Sequence, residues 1–232
     1  MKNTTNIILK ISAVFILAII ISFALTGGYE SYNSYNNHYN YYDDNNNQEI
    51  ERKPVIYLYP ENETEVKVSL DYAGQITHIY PAFIHDNTWK VTAKPDGSLF
   101  DENTQRQYKY LFWEGIYNRK WNFDSGFVVK GADIIPFLEE KLEILGLNYA
   151  EMNDFITYWY PKLSENEYTL IHFDLEEYTN IAKLNITPSP DSLIRVFMLA
   201  QKIDAPIDIA PQELSSPTRT GFAAVEWGGA IR

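Results

Sequence analysis

The sequence predicts an α+β fold: an antiparallel sheet or small β-sandwich over about 54–115, a helical hairpin over about 133–161, and further strands over about 168–228. Three observations predict it. Thr64–Tyr72 alternates, with Val66, Val68, Leu70 and Tyr72 set against Glu65, Lys67, Ser69 and Asp71, as a half-buried strand must. Two apolar stripes at helical spacing follow in the middle of the chain. β-rich runs then return at Tyr168–Phe173, Ile181–Ile186, Leu193–Leu199 and Phe222–Trp227.

Each element has a local cause. Val55–Tyr59 is β-prone and is bounded by Pro54 and Pro60. Ala73-Gly74 turns the chain into a strand at Ile76–Tyr80. Trp89–Lys94 alternates again and ends at Pro95-Asp96-Gly97, where Pro presets φ and Gly accepts a positive one. Leu99-Phe100 and Gln107–Trp113 read as further strands. Asp133 stands where it can cap a first helix carrying Ile135, Leu138, Leu142 and Leu145 on one face, closed by Gly146. Asn148 and Glu151 have the spacing of a capping box for a second helix. That helix buries Met152, Phe155, Ile156 and Trp159, and Pro161 ends or kinks it.

Ahead of this folded part, 53–232, the texture differs. Residues 1–28 read as a signal or signal-anchor: Lys2 and Lys10 precede the apolar run Ile11–Leu25. The uncharged stretch 11–29 is long enough, at about 1.5 Å per residue, to cross a hydrocarbon core of roughly 30 Å. A membrane is therefore one expected partner, through a transmembrane helix at 11–29. Lys2 and Lys10 would lie on the cytoplasmic side and the folded part outside. Cleavage after Ala24 would instead give a secreted protein. Residues 29–52 are low-complexity, dominated by Tyr and Asn, and read as a disordered stalk.

Composition excludes several functions. Lys and Arg total 19 against 31 Asp and Glu, a net charge of −12, so no nucleic-acid partner is expected. With no cysteine there is no disulfide scaffold, thiolate zinc site, Cys nucleophile or Cys-linked lipid. Gly-x-Ser-x-Gly, Walker and dinucleotide motifs do not occur, and no cofactor is expected.

The residues that bear on chemistry are few. Trp113-Glu114-Gly115 and Glu226-Trp227-Gly228 rhyme. Glu114 and Glu226 suit the paired carboxylates of a polysaccharide hydrolase, one as acid and one as base or nucleophile. The alternative is that both flank strand ends, paired with Arg195 or Lys130, while the Trp rings fill the core. Trp113, Trp227, Tyr110 and Arg195 are candidate binding residues for a glycan or protein. Trp89, Trp121 and Trp159 add to an aromatic surplus that can serve a binding face or a core. His172 and Asp174 share a strand face and with His85 are candidate metal ligands, although no metal site is expected.

The runs Lys53–Pro60 (KPVIYLYP), Tyr110–Gly115 (YLFWEG), Gly126–Gly131 (GFVVKG), Ile194–Met198 (IRVFM) and Val225–Gly229 (VEWGG) span nearly all of the folded part. On these motifs the chain resembles a group of uncharacterised, mostly bacterial, exported proteins. The resemblance implies export and one continuous folded unit, and implies no activity. The sequence thus favours a membrane-anchored or secreted envelope protein that binds protein or glycan, with a hydrolase using Glu114 and Glu226 as the alternative.

Overall fold

Val55–Tyr59 alternates between two cores: Ile56 and Leu58 point to one side of their sheet, Val55 and Tyr57 to the other. All four are buried, so this strand lies in a middle layer. The computed structural model describes residues 49–118, 123–215 and 217–232. Residues 47–232 form one compact unit.

The strands in order are β1 (Glu49–Tyr59), β2 (Thr64–Tyr72), β3 (Gln75–Tyr80), β4 (Thr88–Ala93), β5 (Leu99–Asp101), β6 (Arg106–Tyr108), β7 (Leu111–Tyr117) and β8 (Phe127–Lys130). Helices α1 (Ile134–Ile144) and α2 (Tyr149–Leu163) follow, then β9 (Tyr168–Phe173) and the short α3 (Glu177–Ile181). The last strands are β10 (Ala182–Thr187), β11 (Ser192–Ile203) and β12 (Ala223–Ile231). They build a seven-stranded sheet, β3-β7-β1-β12-β11-β9-β8, and a five-stranded sheet, β10-β2-β4-β5-β6. Among the described residues every pairing of strands is antiparallel except β11 with β12, which is parallel.

Three layers result. One core, with Val66, Val68, Trp89, Trp113 and Phe197, lies between the two sheets. The other, with Leu138, Leu142, Phe155, Trp159 and Trp227, lies between the large sheet and helices α1 and α2. The fold is α+β, as the sequence predicts.

Several details differ from expectation. The single strand expected over 107–113 is two strands in different sheets, β6 and β7, because the chain crosses between layers at Lys109-Tyr110. The buried face of α1 is Ile134, Leu138 and Leu142, while Ile135 is exposed, so the apolar stripe begins one residue earlier. Asp133 occupies the N-cap of α1 without a side-chain cap bond, since a 3₁₀ turn over Gly131–Asp133 leads in. The capping box of α2 forms fully: Asn148 accepts from the N–H groups of Ala150 and Glu151, and Glu151 accepts from that of Asn148. Gly146 closes α1 at φ +89°, a conformation other residues rarely adopt. Pro161 does not end α2, which runs on to Leu163.

β1 starts at Glu49 rather than near Lys53, and its first residues pair with Tyr117–Gly115 of β7. The stalk expected over 29–52 is therefore shorter at its end. The rest of it, and the segment 1–28, lie outside the described residues. The transmembrane helix expected at 11–29 is not supported, and that stretch lies outside the described residues. Among the described residues no helix is long and apolar enough to cross a membrane.

Between β11 and β12, residues 204–222 return the chain along the sheet. Gly126 N–H donates to Ala210 O, and the Gln212 amide bonds both the N–H and C=O of Phe173. Arg219 then grips Glu151 through two 2.9 Å bonds. A connection of this kind is what a parallel pair requires.

Candidate functional site

The two Trp-Glu motifs lie on neighbouring parts of one sheet. β1 sits between them, with Val55 opposite both Phe112 and Trp227, and Ile56 opposite both Leu111 and Glu226. The period of two then splits each motif across the sheet. Trp113 and Glu226 face the five-stranded sheet, whereas Glu114 and Trp227 face the helices.

On the inner side, Glu226 is fully buried. Its Oε1 accepts from Trp113 Nε1 at 3.1 Å, and its Oε2 accepts from Arg195 Nε at 2.6 Å. The Arg195 guanidinium lies 4.7 Å above the Tyr178 ring, which stacks on Phe197 at 4.0 Å. Glu226, Trp113 and Arg195 are thus a sealed polar island in the inter-sheet core. A ligand cannot reach them.

Glu114, on the opposite face, accepts from the Lys53 backbone N–H at 3.2 Å and lies 3.5 Å from His78. The paired-carboxylate site suggested for Glu114 and Glu226 is therefore corrected: a sheet separates the two side chains. The physical reason is register: Phe112 and Trp227 both stand opposite Val55, so Glu114, two residues after Phe112, shares the face of Trp227 and the adjacent Glu226 takes the other.

Tyr110 and Trp227 meet Glu114 around a residue the sequence did not single out, Lys53. Its Nζ lies 4.9 Å from the Tyr158 ring centre, 5.6 Å from Trp227 and 5.9 Å from Tyr110. Lys53 has φ +47° and stands at a bulge where β1 shifts register against both neighbours. Pro54 supplies the break, having no N–H for the ladder. Gly228 faces that Pro54, where an added Cβ would come within 3.0 Å of its ring. The segments Lys53–Pro60 and Val225–Gly229 are therefore fitted to one another.

Beside Lys53, Asp154 of α2 accepts from the Tyr57 hydroxyl at 2.7 Å and pairs with Lys109 Nζ at 2.6 Å. Burial lowers the Lys53 pKa, and Asp154 pulls it the other way. Burial and then the bond to Asp154 raise that of Tyr57. The proline inside an otherwise β-prone run was the available sign of the bulge. No local signal placed Asp154 and Tyr158 beside it.

The candidate metal ligands are not gathered. His172 Nδ1 lies 2.9 Å from Ser125 O, Asp174 caps the turn into α3, and His85 is exposed beside Asp86. Among the described residues no group of three or more His, Asp or Glu side chains is placed to hold a metal. Of the other tryptophans, Trp89 and Trp159 are buried, and Trp121 lies outside the described residues.

A cleft of about 780 Å³ opens elsewhere, along the outer edge of β8. Its walls are β8, α1 and residues 206–211. Phe127 and Phe137 meet edge-on at 5.3 Å in its floor, with Lys141 Nζ 5.1 Å from the Phe127 ring. β8 ends the sheet and pairs only with β9. Residues 206–211 run beside it, yet Pro206 and Pro211 have no N–H to extend the ladder. None of the candidate residues from the Trp-Glu motifs lines this cleft.

No protein-family model matches the chain, and no solved structure matches it. One curated relative is an uncharacterised protein of Butyrivibrio fibrisolvens, described as lying in the bglA 3′ region. It is 55% identical over 64 residues, 27% of this chain. The match spans 65% of that relative's length. The chain thus has an uncharacterised bacterial relative, consistent with an uncharacterised bacterial group.

Proposed function

We propose that this chain is a non-enzymatic interaction module, delivered outside the cytoplasm, that binds an extended polypeptide segment along β8. The β8 edge beside the 780 Å³ cleft carries the reading, since the flanking residues 206–211 bond it at Gly126 while Pro206 and Pro211 have no N–H to extend the ladder. An edge strand offers unpaired N–H and C=O groups at strand spacing, and a polypeptide backbone is the ligand that matches them. Phe127, Phe137 and the exposed Ile207 provide apolar contact for alternate side chains. The basic start and apolar run of residues 1–25 support export. The finer likeness to exported bacterial proteins, through Lys53–Pro60 and Val225–Gly229, belongs to the same reading. A hydrolase using Glu114 and Glu226 is disfavoured, because the two carboxylates lie on opposite faces of the sheet.

The test is a peptide-array screen of the full chain, followed by titration with the best extended peptide. Ile207→Asp and Phe137→Ser are expected to weaken binding about tenfold, as loss of an apolar anchor does. Failure of every peptide to bind, or equal affinity in both variants, refutes the reading.

A further inference from the structure

Among the described residues the Lys53 ammonium has no side-chain or backbone acceptor. Its side chain is half-buried, and among the described residues its Nζ makes no hydrogen bond. No carboxylate of the described residues lies within ion-pair reach of it. Asp154 takes the Tyr57 hydroxyl and Lys109, and Glu114 takes the Lys53 backbone N–H. An ammonium stripped of part of its water and given only ring faces still has three N–H groups to satisfy.

We propose that the Lys53 shelf binds a neutral oligosaccharide, with the ammonium donating to sugar hydroxyl oxygens while a sugar face rests on Tyr110. Three features select that chemistry. The ring of Tyr110 is half-buried, so it retains an exposed part on which a C–H face can lie, while Lys162 Nζ covers Tyr158 at 3.6 Å. Asp154 and Glu114 supply carboxylate oxygens that accept from other hydroxyls, as a polyol requires and an apolar ligand does not. Three lysines, Lys53, Lys109 and Lys162, stand here against Asp154 and Glu114, but in a chain whose net charge of −12 repels a polyanion as a whole. Burial lowers the proton affinity of Lys53, and an oxygen acceptor at Nζ relieves that penalty.

The shelf lies on strands β1 and β7 and helix α2, away from the residues that line the β8 cleft. It stands or falls independently of peptide binding.

Tryptophan fluorescence reads the site directly, because the Trp227 ring is 5.6 Å from Lys53 Nζ. The full chain is titrated with cellohexaose, xylohexaose, chitohexaose and hexagalacturonate. At least one neutral hexasaccharide is expected to bind. Lys53→Met, which keeps the bulk and removes the donors, is expected to weaken it about tenfold or more, with Lys53→Arg retaining part of the affinity. The proposal is overturned if no neutral hexasaccharide binds the wild-type chain. It is equally overturned if hexagalacturonate binds tightest, or if folded Lys53→Met binds as well as wild type.

Discussion

Arg195 and Glu226 are register partners on two parallel neighbouring strands, and their side chains form an ion pair almost wholly out of contact with water. Trp113 donates to the second carboxylate oxygen, so three strands are tied at one point inside the core. Breaking such a pair leaves a buried charge without its partner. Arg195→Met is therefore expected to destabilise the fold by about 3–5 kcal/mol. Arg195→Met with Glu226→Leu should recover most of that loss. Urea unfolding of both variants checks this; equal losses in the single and double variants would show that the pair is not the source.

Gly228 and Gly229 predict unequal responses to the same change. A Cβ at Gly229 would lie 2.5 Å from Met198 O and 2.9 Å from the Trp159 ring, both held by core packing. At Gly228 the nearest atom is 3.0 Å away, on Pro54. Gly229→Ala is expected to cost about 1–3 kcal/mol and Gly228→Ala less. Thermal unfolding of the two variants gives the order.

Tyr57 predicts a sign for alkaline pH. Its folded pKa is raised by burial and by the bond to Asp154. Its stabilising contribution is thus complete below the unfolded value of about 10 and is lost as pH rises toward the folded one. Tyr57→Phe should be less stable than wild type at pH 8, by about 1 kcal/mol for the lost hydrogen bond. The gap should narrow above pH 10. A gap that widens there would refute the assignment.

Arg219 is the clasp of the 204–222 connection. Its side chain is 28% exposed while Glu151 beneath it is fully buried. Arg219→Ala leaves that buried carboxylate without its charged partner and is expected to cost about 3 kcal/mol. Faster amide exchange at residues 217–222, with β2 and β4 unchanged, is the expected pattern. Uniform acceleration through both sheets would argue instead for global loosening.

The sequence carried the elements further than it carried their assembly. Alternation in Thr64–Tyr72 and the Asn148–Glu151 spacing are local signals, and the strand and cap they predict are present. The crossing at Lys109-Tyr110 was not legible, because a continuous β-prone run does not say which layer each half joins. The Trp-Glu motifs illustrate the same limit. Both Glu residues sit beside a Trp, yet that adjacency does not say which face of the sheet each takes. Side-chain direction reverses at each residue, and the register of β7 and β12 against β1 places Glu114 and Glu226 on opposite faces. Of the six site candidates, Tyr110, Trp227 and Glu114 do meet, but around Lys53, whose partners Asp154 and Tyr158 arrive from a helix about a hundred residues away in sequence.

β12 lies between β1 and β11, although it follows both in sequence. Until it docks, the large sheet exists as two halves with facing raw edges, β7–β1 on one side and β11–β9 on the other. Neither half can shield those edges, and each is a template for a wrong partner. Completion therefore waits on a keystone inserted late, whose contacts with β1 close a very long loop. Such a chain commits to its structure in one long-range step rather than by growth from one end, and milliseconds to seconds is the expected folding scale.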